Sequence, residues 1–224
     1  ITNYFSDKHA INVTWFDWNT KLNVAKMKLR EATLNNTDCI LLVGNYAETK
    51  SFFEASVALK FSQKLPVISH WGFTGGDTDV LITSEVKQNI RLSFIQSCYS
   101  FKTDKTTKGQ QVLNRAKKLF PDANLSIDNL AAPAGFIHGY DLGKVVFTAL
   151  KNISMSGNIK EDRALLKNAL EAPKLVASGL IKEYKNPFSE WSKDHSDAHE
   201  ALGLDDFCMA NFDENNQVII QSNI

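Results

Sequence analysis

The chain has 224 residues and a mass of 25.1 kDa, with 43% hydrophobic and 22% charged residues. That suits one large domain or two small ones and excludes a disordered, collagen-like or coiled-coil chain. Lys plus Arg and Asp plus Glu each number 25, so the basic excess of a protein that coats nucleic acid or anionic lipid is absent, and no nucleic-acid partner is expected. No apolar run approaches the ~20 residues of a spanning helix, so no membrane span is expected within this chain.

In chain order, residues 11–18 are rich in β-formers and predict a strand. Residues 20–36 follow with Leu22, Ala25, Leu29 and Ala32 near helical spacing. The short apolar run 38–43, ending at Gly44, reads as a strand buried on both faces, as in a parallel sheet. A second helix is predicted over 47–62 with Phe52, Ala55, Ser56 and Leu59 on one stripe. Residues 65–69 are the next buried strand, with Pro66 at its start. This alternation, with right-handed crossovers, predicts a parallel, doubly wound α/β sheet. Residues 92–97 are again strand-like. A helix over 107–120 has capping-box spacing at Thr107 and Gln110 and ends at Pro121. The clearest helix is 137–153, with Leu142, Val145, Val146, Ala149, Leu150 and Ile153 on one stripe. Another runs about 160–171. The last segment predicts a hairpin, 206–212 and 217–221, around Asp213-Glu214-Asn215-Asn216.

Ligands of open α/β sheets bind in the loops after the strands. Here these are 44–48 and 69–76, the second placing Trp71 and Phe73 beside Gly72, Gly75 and Gly76. Glycines allow close backbone approach, and aromatics supply a wall for an organic ligand. The alternative is a turn whose aromatics fold into the core. Phosphate-cradling glycine patterns and a nucleophile elbow are absent. His195 and His199 have metal-ligand spacing on a helix, but their segment reads as a turn without further ligands, so no structural metal is expected. His138 either faces a ligand or caps the long helix. Cys39 reads as a core thiol, and no disulfide is expected among Cys39, Cys98 and Cys208, which lack paired spacing.

Several motifs together resemble a known family. Asp38–Gly44, then a helix, then Leu65–Gly76 looks like the second lobe of type I periplasmic binding proteins, the leucine/isoleucine/valine-binding-like receptors of ABC importers. Ala134–Asp141 leading to Leu150, Glu161–Leu170, and Gly179–Tyr184 with Pro187-Phe188, Asp194-His195 and Met209–Asp213 are similar to segments that follow in that family. The resemblance implies an α/β fold of two lobes with parallel sheets flanked by helices: 1–91 in lobe two, 92–182 returning to lobe one, and 183–224 crossing back to lobe two with the C-terminal hairpin. Residues 206–221 should then pair beside residues of the first 90. The first part of lobe one and the opening β–α unit of lobe two are expected to lie outside this chain.

By the same resemblance the protein is a periplasmic binding module without enzymatic activity and without cofactor. Its expected ligand is a small polar organic molecule of the amino acid or amide class, and its expected partners are ABC transporter membrane subunits or a signalling protein. The expected ligand-binding residues are Tyr46, Trp71, Gly72 and Phe73 of lobe two, facing Phe136, His138 and Tyr140 of lobe one. A sensor domain of a bacterial signalling protein, a small α/β enzyme using the 69–76 loop, and a structural fragment without a site are the competing readings.

Overall fold

A computed structural model describes residues 11–17, 19–34, 37–104, 106–130 and 132–221. The chain divides into two compact units, residues up to Phe94 and residues from Ile95. The first unit contains α1 (Leu22–Thr33), β1 (Ile40–Leu41), α2 (Tyr46–Leu59), β2 (Leu65–His70), a 3-10 turn (Trp71–Thr74), the short helices α3 (Thr78–Leu81) and α4 (Ser84–Asn89), and most of β3 (Ile90–Ser97). Strands β1 and β2 pair in parallel, with Ile40 opposite Val67 and Leu41 opposite Ile68.

Local chemistry sets these elements. Helix α2 starts where the Glu48 carboxylate accepts the Asn45 N–H at 3.0 Å. It stops at Lys60, whose φ of 49° is left-handed. Its buried stripe, Thr49, Phe52, Phe53, Ala55 and Ser56, carries an aromatic chain. Phe52 meets Phe53 edge-on at 5.6 Å, Phe53 meets Phe73 at 6.0 Å, and Phe73 meets Phe94 at 5.1 Å. Two expectations fail in this unit. Residues 11–17 form no strand, residue 18 lying outside the described residues. Cys39 precedes β1 and is exposed, because the strand-like run 38–43 pairs only at Ile40–Leu41 and is covered on one face.

The second unit contains the end of β3, then α5 (Thr107–Leu119), a 3-10 turn (Pro121–Ala123), α6 (Pro133–Leu150), α7 (Ile159–Leu170), β4 (Val176–Ser178), β5 (Glu183–Lys185), a 3-10 turn (Leu204–Asp206), β6 (Phe207–Phe212) and β7 (Val218–Ile220). The C-terminal hairpin forms as expected: β6 and β7 are antiparallel, with Ala210 opposite Ile220. The Asp213 carboxylate accepts the N–H groups of Asn215 and Gln217, each at 2.9 Å, and so shapes the turn. The strand order is β1-β2-β3-β6-β7, while β4 and β5 make a separate antiparallel pair.

Helix α6 starts one turn earlier than its apolar spacing predicts, because Pro133 is preorganised at the first helical position. Its buried stripe is Ala134, Ile137, Asp141, Val145 and Ala149, whereas Leu142, expected on the stripe, is exposed. The helix is therefore turned relative to the expectation, and a carboxylate lies on its covered face. Helix α5 begins without the expected Thr107–Gln110 box. Asp104 caps it instead: Oδ1 accepts Thr106 N–H at 2.8 Å, and Oδ2 accepts both Gly109 N–H at 3.2 Å and the Tyr99 hydroxyl at 2.9 Å.

Cys98 and Cys208 are joined by a disulfide across 110 residues of sequence. The expectation of no disulfide is thus corrected. The residue after β3 and the second residue of β6 become neighbours only in the fold, where Cys98 N–H also donates to Asp206 O at 2.8 Å. Closing so long a loop restricts the unfolded chain strongly. Replacing both cysteines by Ser should cost about 2–4 kcal/mol of stability. Urea unfolding under non-reducing conditions measures it; an unchanged midpoint in the double variant would make the bond energetically idle.

Candidate functional site

Because β1 and β2 run in parallel, the loops that follow them lie at the same end of the strands. The His70 imidazole ties the two loops together. Gly44 N–H points at Nε2 from 3.2 Å and Gly72 N–H at Nδ1 from 3.1 Å. A neutral imidazole has one acceptor nitrogen, so such a ring accepts from one of the two N–H groups at a time. The glycines serve this packing. A Cβ at Gly72 would sit 2.4 Å from the His70 ring, and one at Gly76 would sit 2.6 Å from the ring of Tyr46.

The expected site residues of the first unit separate into two kinds. Trp71 is 40% exposed at the end of β2, and Tyr46 is half-buried at the first turn of α2. Both present aromatic surface. Gly72 is buried. Phe73 is fully buried between Phe53 and Phe94, so the expectation that it faces an open cleft is corrected. The 3-10 turn explains the split, since three residues per turn set the side chains of Trp71 and Phe73 about 120° apart around its axis. His70 is a positioning residue that the sequence reading passed over; its role depends on two backbone N–H groups, which leave no trace in residue pattern.

In the second unit Phe136, His138 and Tyr140 lie in the first two turns of α6. Phe136 packs edge-on to Phe101 at 5.8 Å, and it and Tyr140 flank the core of Tyr99, Phe101, Val112, Leu113, Ile137 and Leu180. His138 is half-buried, with Nε2 3.1 Å from the Oγ of Ser97, a buried residue at the end of β3. Burial pushes the phenol of Tyr140 above its ordinary pKa, with Asp141 adding to the shift and Arg115 opposing it. It is a neutral hydrogen-bonding group at physiological pH.

Burial holds the His138 imidazole below its ordinary 6.5, against an opposing pull from Asp141. As pH falls, the unfolded chain takes up this proton first. The stability contributed by the neutral ring is therefore present above about pH 6.5 and lost as pH falls through the lower folded value. Wild type should lose more stability than His138→Gln between about pH 7.5 and about pH 5. Equal losses in urea titrations of the two would show a ring that titrates as it does in water.

Among the described residues no group of three or more His, Cys, Asp or Glu side chains is placed to hold a metal, and no helix is long and apolar enough to cross a membrane. His199 Nε2 lies 2.9 Å from a carboxylate oxygen of Glu171, and His195 lies in a turn closed by Ser192. A hollow of about 310 Å³ is lined by Lys182, Tyr184, Lys185 and Glu200 among others. None of the expected site residues lines it.

Asp141 is a residue the sequence reading quoted only within a motif. It is 2% exposed, and its carboxylate accepts the N–H groups of Leu180 and of Ile181, the latter at 2.9 Å, and the Tyr184 hydroxyl at 2.8 Å. It fastens α6 to the turn between β4 and β5. A Cβ at Gly179 would lie 2.4 Å from this carboxylate, which explains the glycine.

No family model and no curated protein sequence matches the chain. Solved structures do. A solute-binding protein of an ABC transporter from R. palustris, in complex with benzoate, matches with a TM-score of 0.59 at 11% identity, over 94% of this chain and 47% of that one. A fatty acid ABC transporter substrate-binding protein from Thermomonospora curvata matches at 0.58 and 13% identity, over 87% of this chain and 45% of that one. An extracellular ligand-binding receptor from Rhodopseudomonas palustris HaA2 matches at 0.55 and 15% identity, over 88% and 51%. The chain has the mixed α/β fold of these binding proteins and spans about half their length.

Proposed function

We propose that the protein is a solute-binding receptor that captures a small organic ligand carrying a carboxylate or amide group and delivers it to the membrane subunits of an ABC importer. The observation that carries this reading is the fold, shared over most of the chain with proteins whose names state solute binding. Two of them are described with benzoate and with fatty acid. Both ligands join a carboxylate to an apolar body, and amino acids share that plan.

The residues support binding over catalysis. Around the 69–76 loop the polar groups are bonded within their own unit: Ser69 Oγ donates to Leu42 O at 2.8 Å and Thr74 Oγ1 to Trp71 O at 2.7 Å. Such groups shape a wall; they do not form a nucleophile with its base. We assign ligand contact to the exposed ring of Trp71 and to Tyr46, both of the first unit. The disulfide supports a periplasmic or extracellular location, since such bonds persist in oxidising compartments.

The test is a thermal-shift screen of the full-length protein against amino acids, amides, and aromatic and aliphatic carboxylates, followed by calorimetry. Trp71→Ala should weaken the best ligand by about 1–3 kcal/mol, the worth of a buried aromatic wall, while the surface control Lys160→Ala should not. Equal affinity in both variants would remove Trp71 from the site.

A further inference from the structure

Three Asn-x-Ser/Thr triplets lie among the described residues: Asn12-Val13-Thr14, Asn124-Leu125-Ser126 and Asn152-Ile153-Ser154. This spacing is the acceptor signal for N-linked glycans, and it implies an asparagine on a surface loop. All three asparagines are exposed, and none lies in a helix or strand. The three are not equal. Asn152 Nδ2 donates to Thr148 O at 3.2 Å, so its amide rests against the last turn of α6. Asn124 stands at the end of the 3-10 turn Pro121–Ala123 with a left-handed φ of 44°, a conformation that asparagine tolerates better than most residues. The loop after it is held from within. Asn129 Nδ2 donates to Asn124 O at 3.0 Å, and Ser126 and Asn129 exchange backbone hydrogen bonds of 3.3 Å. Those bonds use the Asn124 carbonyl and leave its side-chain amide to solvent. Asp122, exposed and two residues before Asn124, adds a carboxylate that neither other triplet has at that spacing. A transferase can read such a carboxylate by a charge-assisted hydrogen bond.

We propose that Asn124 carries an N-linked glycan in the exported protein. The donor is an oligosaccharide joined through its first sugar to a polyprenyl diphosphate. A transferase bonds Asn124 Nδ2 to the anomeric carbon of that sugar. The bond from this carbon to the diphosphate oxygen breaks, the lipid diphosphate leaves with the electron pair, and Nδ2 gives up one proton. Nothing is oxidised or reduced. The Cys98–Cys208 bond supports passage through an oxidising compartment, and the proposal rests on that location and not on solute binding.

Peptide mass spectrometry of the protein purified from its own cells, as encoded at full length, is the test. Fragmentation strips sugars from a peptide and locates the modified residue. The peptide holding Asn124 is expected to carry a glycan mass at that residue. Asn129, exposed in the same loop but followed two positions later by Ala131, should stay unmodified. Ser126→Ala should abolish the glycan mass, and Ser126→Thr should retain it, because either hydroxyl completes the signal. Neither change touches the amide that is modified, so the pair separates recognition from folding. Two results would overturn the proposal. One is an Asn124 peptide without sugar: with the Cys98–Cys208 bond intact the exported location still stands, and with free thiols that location falls too. The other is a glycan on Asn124 that survives Ser126→Ala.

Discussion

Replacing Asp141 by Ala should lower the unfolding free energy by about 3–5 kcal/mol, from three hydrogen-bond donors that lose their shared acceptor at about 1–3 kcal/mol each. The carboxylate is 2% exposed, and three donors converge on it: two backbone N–H groups of the turn 180–181 and the Tyr184 hydroxyl. Removing it deprives all three of their shared acceptor. Tyr184 cannot compensate. Burial first, and its bond to Asp141 second, push its pKa far up, so it stays a protonated donor in need of an acceptor. Tyr184→Phe removes one donor and leaves the carboxylate its other two, so it should cost only about 1 kcal/mol. Urea denaturation of both variants reads the difference; an Asp141→Ala variant no less stable than Tyr184→Phe would show that the carboxylate does not anchor α6.

Phe73→Ala should cost about 3–5 kcal/mol, the range for truncating a buried aromatic to Ala. The ring is fully buried and stacks edge-on against both Phe53 and Phe94. Its loss opens a cavity between α2 and β3 that the edge-on chain cannot close without moving the helix. Trp71→Ala, two residues away and partly exposed, should leave stability nearly unchanged. Chemical unfolding of the two variants checks the division between core and surface in this loop. A stability loss larger for Trp71→Ala than for Phe73→Ala would reverse it.

That division shows what the sequence allowed and where it stopped. The β–α–β alternation of residues 38–70, helices α2, α5, α6 and α7, and the C-terminal hairpin were all legible, because their apolar periods differ and turn residues punctuate them. The phase of α6 was not. Leu142 reads as core from its spacing, whereas three distant donors hold Asp141 inside and Leu142 lies in water. The pairing of Cys98 with Cys208 was equally invisible, since 110 residues separate them and only the placement of β6 beside β3 brings them together. Residues 11–17 carry the composition of a strand, yet composition supplies no neighbour to pair with. At the site, exposure of Trp71 and burial of Phe73 follow from a four-residue 3-10 turn, a geometry that a Gly-rich segment permits without specifying.

The central claim is that the protein binds a small organic solute. Calorimetric titration of the full-length protein with the best hit from a panel of amino acids, amides and carboxylates tests it most directly. The account predicts saturable one-site binding, a stabilisation of about 2.7 kcal/mol when the solute stands at a hundred times its Kd, and recovery of the solute unchanged. Turnover of a bound solute to a new product, or no saturable binding across the panel by a protein whose Cys98–Cys208 bond is intact, would contradict it.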